Sequence, residues 1–453
     1  MSQELKSGYR FNGDVEVKGI VYVSATGSVQ DLSLVTREVN IYQNIFNHYL
    51  ECEILVSDAL SLIDSFEHDG NQNGGFNGGD VLIISYRTKD TSMEFVNHVF
   101  GIYELSNRQR AQEKLEQYIL NGISAEAYLT KEKYISRSYG PSTVSDMIKK
   151  IVDERLNNSK IKTMYSDYSS ATKLNINKTI DIDPSSGLRQ IIIPYLSIDD
   201  SIDFLSNECD NDNHIPLFSF YENAKGFNFK DFNNLISADP VRKYTYLQSN
   251  VAEVSEADKD ETSFKDFDKI ITFEVLKQSN IMQNHKKGLF KSRVINVDIL
   301  KKNSSIYNYD YSKYFSRFNT LQSKQIPGEM EGEGPTYMVQ SRIGHDTDEI
   351  LSSENHLPKQ INETLPLTKS YMAHLFNTVV EVTVHGNSDL NVGDVIELQI
   401  PNATTLKSKD KKEDKYLSGK YLITKLRNKI TKKNDNNIYS TIMECTKDTG
   451  IED

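Results

Sequence analysis

One string of small features occurs twice in this chain, near each end and in the same order. The first copy begins with an alternating apolar run through Cys52, Ile54 and Val56. Gly79-Asp80 then leads Val81-Leu82-Ile83-Ile84, followed by Gly101-Ile102-Tyr103 and Tyr118-Ile119-Leu120. The second copy runs Val380, Val382 and Val384, then Gly393-Asp394 before Val395-Ile396-Glu397-Leu398, then Gly419-Lys420-Tyr421 and finally Tyr439 to Met443. Carrying one small unit twice constrains the fold strongly. Each copy has to bury one face, and an oligomer of the chain displays twice as many units as it has subunits.

Both copies read as antiparallel β. In Val379 to His385 three valines share one face, while Glu381, Thr383 and His385 share the other, the period-two pattern of a half-buried strand. Glu51 to Val56 follows the same pattern. The Gly-Asp pairs sit where a turn enters the next strand, because Gly tolerates positive φ and Asp bonds its own backbone. Four or more short strands in this order imply a small barrel or split sandwich. The repeated-motif residues are Gly79, Asp80, Gly101, Tyr103, Gly393, Asp394, Gly419 and Tyr421. The first copy is interrupted by residues 59 to 78, and the second carries a Lys-rich tip from Lys407 to Lys415.

Between the copies the pattern becomes mixed. Val144, Met147, Ile148, Ile151 and Val152 recur at helical spacing after Pro141, with Ser142 or Thr143 placed to cap. A second helix follows Pro194, where Ser197 and Asp200 have capping-box spacing and Ile198, Ile202, Leu205 and Cys209 form one stripe. Leu217 to Tyr221 and Phe227 to Phe229 then predict a hairpin whose alternating Phe face packs on that helix. The acidic stretch 251–268 reads as a solvated loop, Val294 to Leu300 as a strand, and Tyr307, Tyr309 and Tyr311 as an aromatic face. Residues 327–366 read as a second loop region. The expected class is therefore α+β and β-rich: two similar small antiparallel β-barrels with mixed α/β parts between them. The expected parts are a first barrel (1–130), an α/β domain (131–240), a β-containing connection (241–370) and a second barrel (371–453).

At 453 residues the chain has room for about three domains. Cys52, Cys209 and Cys445 are far apart, odd in number and set in apolar patterns, which implies buried thiols rather than disulfides or a zinc site. A net charge of -12 argues against a surface that grips duplex nucleic acid. The start lacks a signal-peptide pattern, and no run reaches about 18 apolar residues, so we expect synthesis in a cytoplasm without membrane insertion.

The Gly328 to Gly334 run lacks the Gly-Lys-Ser/Thr ending of a phosphate loop and carries glutamates that would repel phosphate. Asp210 to His214 resembles the start of a calcium loop, but Ile215 stands where Gly is needed and Tyr221 where a bidentate Glu is needed. The histidines form no metal-hydrolase spacing, and there is no Gly-x-Ser-x-Gly elbow. We therefore expect no catalytic residues, no metal and no cofactor. The polar strand faces offer Glu51, Glu53 and Glu381 either as the wall of a channel, where acid keeps passing nucleic acid from adhering, or as an ordinary solvated face.

Three stretches resemble a known family. They are Val382 to Gly386 with Asn391 to Ile396 and Leu417 to Ile423; Ile198 to Leu205 with the hairpin to Asp231; and Gly288 to Ser292 with Asp298-Ile299 and Tyr309-Asp310-Tyr311. Together they are similar to the central hub of the contractile-tail baseplate of T-even-type bacteriophages, related to the hub part of type VI secretion spike proteins. The resemblance implies a homotrimer whose six similar barrels form a pseudo-sixfold ring between a sixfold tail tube and a threefold central spike. It further implies a virion location, tube or tube-initiator proteins and other baseplate proteins as partners, and DNA passing without specific binding. With no lysozyme domain after Asp453, the spike is expected to be a separate protein. Two other readings stay open: the hub of a tailocin or secretion-type injection system, and a baseplate enzyme that degrades cell wall.

Overall fold

The computed structural model describes residues 13–24, 29–59, 80–89, 93–172, 178–212, 215, 217–246, 267–299, 302–322, 324–328, 332–340, 361–402, 413–433 and 436–450. Gly79, the 60–78 part of the insertion, most of the acidic stretch (251–266) and residues 407–412 lie outside them. The first unit contains β1 (Val15–Val23), β2 (Val29–Asp31), β3 (Thr36–Asn44), β4 (Glu51–Asp58), β5 (Val81–Thr88), β6 (Val96–Gln112) and β7 (Leu115–Ser124). The middle adds β8 (Tyr134–Ser142), β9 (Thr179–Ile182), β10 (Arg189–Ser197), β11 (Phe218–Asn223), β12 (Gly226–Asp231) and β13 (Arg242–Thr245). The chain continues through β14 (Ile270–Gln278), β15 (Lys291–Asp298), β16 (Asn303–Asp310) and β17 (Thr336–Gln340). It ends with β18 (Thr378–His385), β19 (Val395–Gln399), β20 (Gly419–Lys433) and β21 (Asn436–Lys447).

The protein is α+β and β-rich. Its strands are organised mainly by one 13-stranded sheet, in the order β14-β18-β21-β20-β3-β4-β7-β6-β5-β1-β2, with β19 beside β20 and β13 beside β19. The expected pair of barrels takes the form of two curved units fused in one ladder. The fusion is the antiparallel pairing of β20 with β3, from Lys425 opposite Asn44 to Thr431 opposite Glu38. Among the described residues neither unit is closed by a continuous ladder. A single bridge, Asp14 with Ile438, brings β1 to β21, and another, Thr245 with Lys269, brings β13 to the start of β14.

Burial follows the alternation read from the sequence. Ile54, Val56, Leu82, Ile84 and Leu120 form the first core, and Ile430 and Tyr439 from the far end of the β20–β21 hairpin are packed into it. Nearer its base the same hairpin gives Leu422, Ile423, Leu426, Met443 and Cys445 to a second core with Val380, Val382 and Val384. One hairpin therefore serves two cores.

The middle region packs as its periodicity predicts. Helix Val144–Ile151 is capped by Thr143, whose hydroxyl accepts from Asp146 N at 3.2 Å. Helix Ile198–Ser206 is capped by Ser197, which accepts from Asp200 N at 3.1 Å. Ile198, Ile202, Leu205 and Cys209 bury against Phe218, Phe220, Phe227 and Phe229 of the β11–β12 hairpin. Two phenylalanine pairs stack across that hairpin, with centroids 5.0 and 5.8 Å apart. The Asp210 to Asp212 turn is occupied internally, since Arg189 holds Asp210 at 2.8 Å and Asn211 donates to Asp231 at 2.8 Å. Tyr309 and Tyr311 are buried, while Tyr307 is half-buried and hydrogen-bonded to Tyr314. All three cysteines are free and buried.

Candidate functional site: a duplicated strand ladder and its polar face

The duplication is visible in hydrogen-bond register, which is more demanding than composition. In the first unit the order is β3-β4-β7-β6-β5, and in the second β14-β18-β21-β20-β19. Every neighbouring pair in both series is antiparallel. Two bulges coincide. The β6–β7 ladder skips one residue, Tyr103, between Ile102 and Glu104, and the β20–β21 ladder skips Thr424 between Ile423 and Lys425. Likewise β3 skips Arg37 against β4, and β14 skips Ile271 against β18. A bulge locally re-aims a strand, so two bulges at matching levels give the units the same bend.

Register also fixes which residues correspond. Cys52, Ile54 and Val56 stand opposite Gly122, Leu120 and Tyr118, as Val380, Val382 and Val384 stand opposite Cys445, Met443 and Thr441. Asp80 and Asp394 correspond as well: the Asp80 carbonyl accepts from Ile102 N at 3.0 Å, and the Asp394 carbonyl accepts from Ile423 N at 2.9 Å. Asp80 is buried beside Tyr22, and Asp394 is largely enclosed. Burial raises the Asp394 carboxyl to about 6, against a lowering effect from the Asn391 N–H it accepts at 2.8 Å. Gly393 has φ +89°, and a Cβ there would lie 2.4 Å from the Tyr221 hydroxyl, so this turn requires glycine.

Two motif matches do not correspond. Gly101 faces Val81, but the residue facing the equivalent Val395 is Leu422, while Gly419 faces Leu398. Gly101 leaves room for the Tyr128 ring, which a Cβ would meet at 2.5 Å, and Gly419 opens the strand at φ +123°. The two glycines serve different needs. Tyr103 is the bulged residue and 56% exposed, whereas Tyr421 is fully buried with its hydroxyl donating to Leu417 O at 2.7 Å. Tyr118 corresponds to Thr441, and Tyr439 to Glu116.

Glu53 and Glu381 occupy the same position in their units, facing Asn121 and Glu444 respectively. Both are exposed, as is Glu51. Glu53 accepts from the Tyr42 hydroxyl at 2.7 Å; burial, then this carboxylate, pushes that hydroxyl up to about 12. Glu381 lies between Glu274 on β14 and Glu444 on β21, three carboxylates side by side across the sheet. Glu444 is paired with Lys425 at 2.8 Å, but among the described residues no ion pair involves Glu274 or Glu381. Like charges in direct register weaken a sheet. Between the acidic positions of the two units, β20 contributes Lys425, Arg427 and Lys429 to the same face, with Glu38 3.6 Å from Arg427 and 3.2 Å from Lys429. The face is thus acidic at its flanks and basic along its centre, a stripe the alternation in β4 and β18 did not reveal. Among the described residues no group of three or more His, Cys, Asp or Glu is placed to hold a metal ion, and no helix is long and apolar enough to cross a membrane.

No protein-family profile matches the sequence, and no curated protein matches it. Solved structures do resemble its fold. The 43 kDa tail protein of prophage MuSo2 from Shewanella oneidensis matches with a TM-score of 0.53 at 8% identity, over 95% of this chain and 98% of that one. The tail protein from Neisseria meningitidis MC58 matches with a TM-score of 0.50 at 10% identity, over 97% of each chain. The Francisella PdpA-VgrG complex in its lidded form gives a TM-score of 0.46 at 8% identity, covering 98% of this chain and 55% of that one. Across nearly its whole length, the chain has the fold of these two tail proteins.

Proposed function

We propose that this protein is the structural hub of a phage tail baseplate, a homotrimer whose six β units form a pseudo-sixfold ring joining a sixfold tail tube to a threefold central spike. The observation that carries this reading is the duplicated ladder with coincident bulges. Two units of the same bend and strand order, fused by β20 and β3, are what a threefold assembly needs in order to present six similar faces. The fold shared with the two tail proteins, one of them from a prophage, supports a tail role. In this reading the protein is not an enzyme and carries no cofactor. Its partners are a trimeric spike, tube or tube-initiator proteins and other baseplate proteins, within a virion. The resemblance to T-even-type hubs, and the four-part division at 130, 240 and 370, belong to the same proposal.

The polar face, with Glu51, Glu53 and Glu381, lines the ring's passage in this reading, and DNA crosses it without specific binding. The β20 cations then make the wall alternate in charge rather than uniformly acidic. Solution mass tests the central claim: native mass spectrometry is expected to give three chains, and a species that stays at one chain mass across concentrations would sink it. A maleimide probe on Glu381→Cys tests the wall. Protection of that thiol from a bulky reagent on assembly is expected, and unchanged labelling would place the face outside.

A further inference from the structure

The ladder that joins the two units within one chain has a counterpart whose two halves are both unused. One edge of β20 is occupied first by β19, from Gly419 to Leu422, and then by β3, from Lys425 to Thr431. The equivalent strand β6 is occupied by β5 from Val96 to Gly101. Its continuation from Glu104 to Gln112 pairs with β7 on one side, and among the described residues has no strand on the other. Strand β14, the equivalent of β3, pairs with β18 and among the described residues carries no ladder on its far edge. Residues 271 and onward of that strand are open to solvent or half-buried.

Burial records the difference. Leu426, Asn428 and Ile430 on β20 are buried because the first unit covers them, while β6 is exposed or half-buried from Tyr103 to Gln112. Past Gly101 the 17-residue β6 is held extended by β7 alone, and two strand edges that carry no ladder among the described residues are sites for strand addition.

We infer that the distal half of β6 in one copy pairs antiparallel with β14 of the next, repeating between chains the β20–β3 junction found within each. The proposal rests on the trimeric ring reading and names its contact. Carrying the internal register across places Ser106 opposite Lys277, as Arg427 stands opposite Tyr42, and Gln109 opposite Glu274, as Lys429 stands opposite Asn40. Glu274, which has Glu381 beside it and no cation of its own, then receives an amide donor. Three internal and three intermolecular junctions alternate around the ring, and no heterologous edge is left over.

The test is oxidative crosslinking of full-length chain carrying Ser106→Cys and Lys277→Cys, since directly opposed residues on paired strands meet disulfide geometry. Arg427→Cys with Tyr42→Cys reports the internal junction as a control, and the three native thiols are buried. Covalent species of two and three chain masses are expected from the first pair, against a single chain mass from the control. Gln109→Cys with Glu274→Cys, three residues further along each strand, serves if the first pair fails to fold. A chain that is trimeric by native mass but gives no covalent multimer with either pair overturns the pairing and leaves the trimer reading intact. A chain monomeric at every concentration overturns both.

Discussion

Replacing Lys178 with Met should be the most informative single perturbation of the fold. Its ammonium is enclosed where the first unit meets the middle region, 2.5 Å from Glu126 Oε2, 2.6 Å from Glu222 Oε1 and 3.1 Å from Ser124 Oγ. Glu126 and Glu222 are 1% and 0% exposed, and Glu222 also accepts from Leu50 N at 3.3 Å. Burial alone would lower the lysine's proton affinity, but the two carboxylates override it and raise it. Burial also raises Glu222, with Lys178 opposing and Glu126 reinforcing. Methionine keeps an unbranched stem of similar bulk, one atom shorter and without the charge, leaving two buried carboxylates facing each other. Breaking such a group by removing one partner costs about 3–5 kcal/mol. The loss should depend on pH with a definite sign. In the variant the buried Glu222 carboxyl, already raised by burial and now without its cation, takes up its proton in the folded state before the unfolded state does, so the deficit is full at pH 8 and shrinks toward pH 5. Chemical denaturation followed by tyrosine fluorescence and circular dichroism measures it, the chain having 25 Tyr and no Trp. Adding Glu126→Gln and Glu222→Gln should recover most of the loss. A Lys178→Met deficit under about 1 kcal/mol, or one equal at pH 8 and pH 5, would refute the electrostatic account.

Other consequences are open to direct measurement. His48 lies between Asp203, 2.9 Å from Nε2, and Asp199; burial disfavours its charge, but hydrogen bonds to both aspartates lift it to about 9. Its contribution is fully present below pH 6.5 and lost as pH rises through 9, so His48→Gln should flatten the pH dependence of the unfolding free energy over that window, by an amount on the order of 1–3 kcal/mol. Asp394, raised to about 6, makes the wild type gain stability as pH falls from 6 to 4, and Asp394→Asn should abolish that gain in the same pH series. Ile430→Ala should cost about 2–4 kcal/mol and speed hydrogen exchange in β4 of the first unit, although residue 430 belongs to the second. Gly386→Ala places a Cβ 2.0 Å from Tyr439 Cγ and should destabilise by roughly 1–3 kcal/mol, measured as a shift in denaturation midpoint.

Local signals in the sequence carried far. Both caps, Thr143 and Ser197, and both helices lie where spacing put them, because a cap and an apolar stripe are decided within a few residues. The first strand of each unit matched residue for residue, Cys52, Ile54 and Val56 against Val380, Val382 and Val384. The matching failed at Gly101 and Gly419, since aligning two ladders requires the lengths of the intervening turns and the positions of bulges, neither of which has a composition signature. The Lys178 cluster and the His48 clamp were invisible for a different reason. Their partners are 44 to 155 residues away, and a charged residue destined for burial looks like any other until the chain closes around it. The basic stripe on β20 was missed because β20 also crosses from one unit to the other, so its polar face belongs to both.

In the proposed ring, fusing two units would change the thermodynamics of assembly as well as its symmetry. Six separate units would need six encounters, whereas three fused pairs need three, the other junctions forming at the effective concentration set by the chain itself. The two kinds of junction should then differ in chemistry, and the equivalent cross-strand pairs differ in that sense. On the β20–β21 hairpin Ile430 faces Tyr439, both buried in the first core; on β6–β7 the same position holds Arg110 facing Glu116, with 3.7 Å between their charged atoms. An apolar pair suits a contact that never opens. Under the proposed pairing, a charged pair would keep this edge soluble in the lone chain, discourage indiscriminate strand pairing and still allow a second copy to cover the edge. Exchanging them tests this: Arg110→Ile with Glu116→Tyr should strengthen association and lower solubility of the free chain, measured by sedimentation across a concentration series. Unchanged association in that variant would mean that the β6–β7 tip takes no part in assembly.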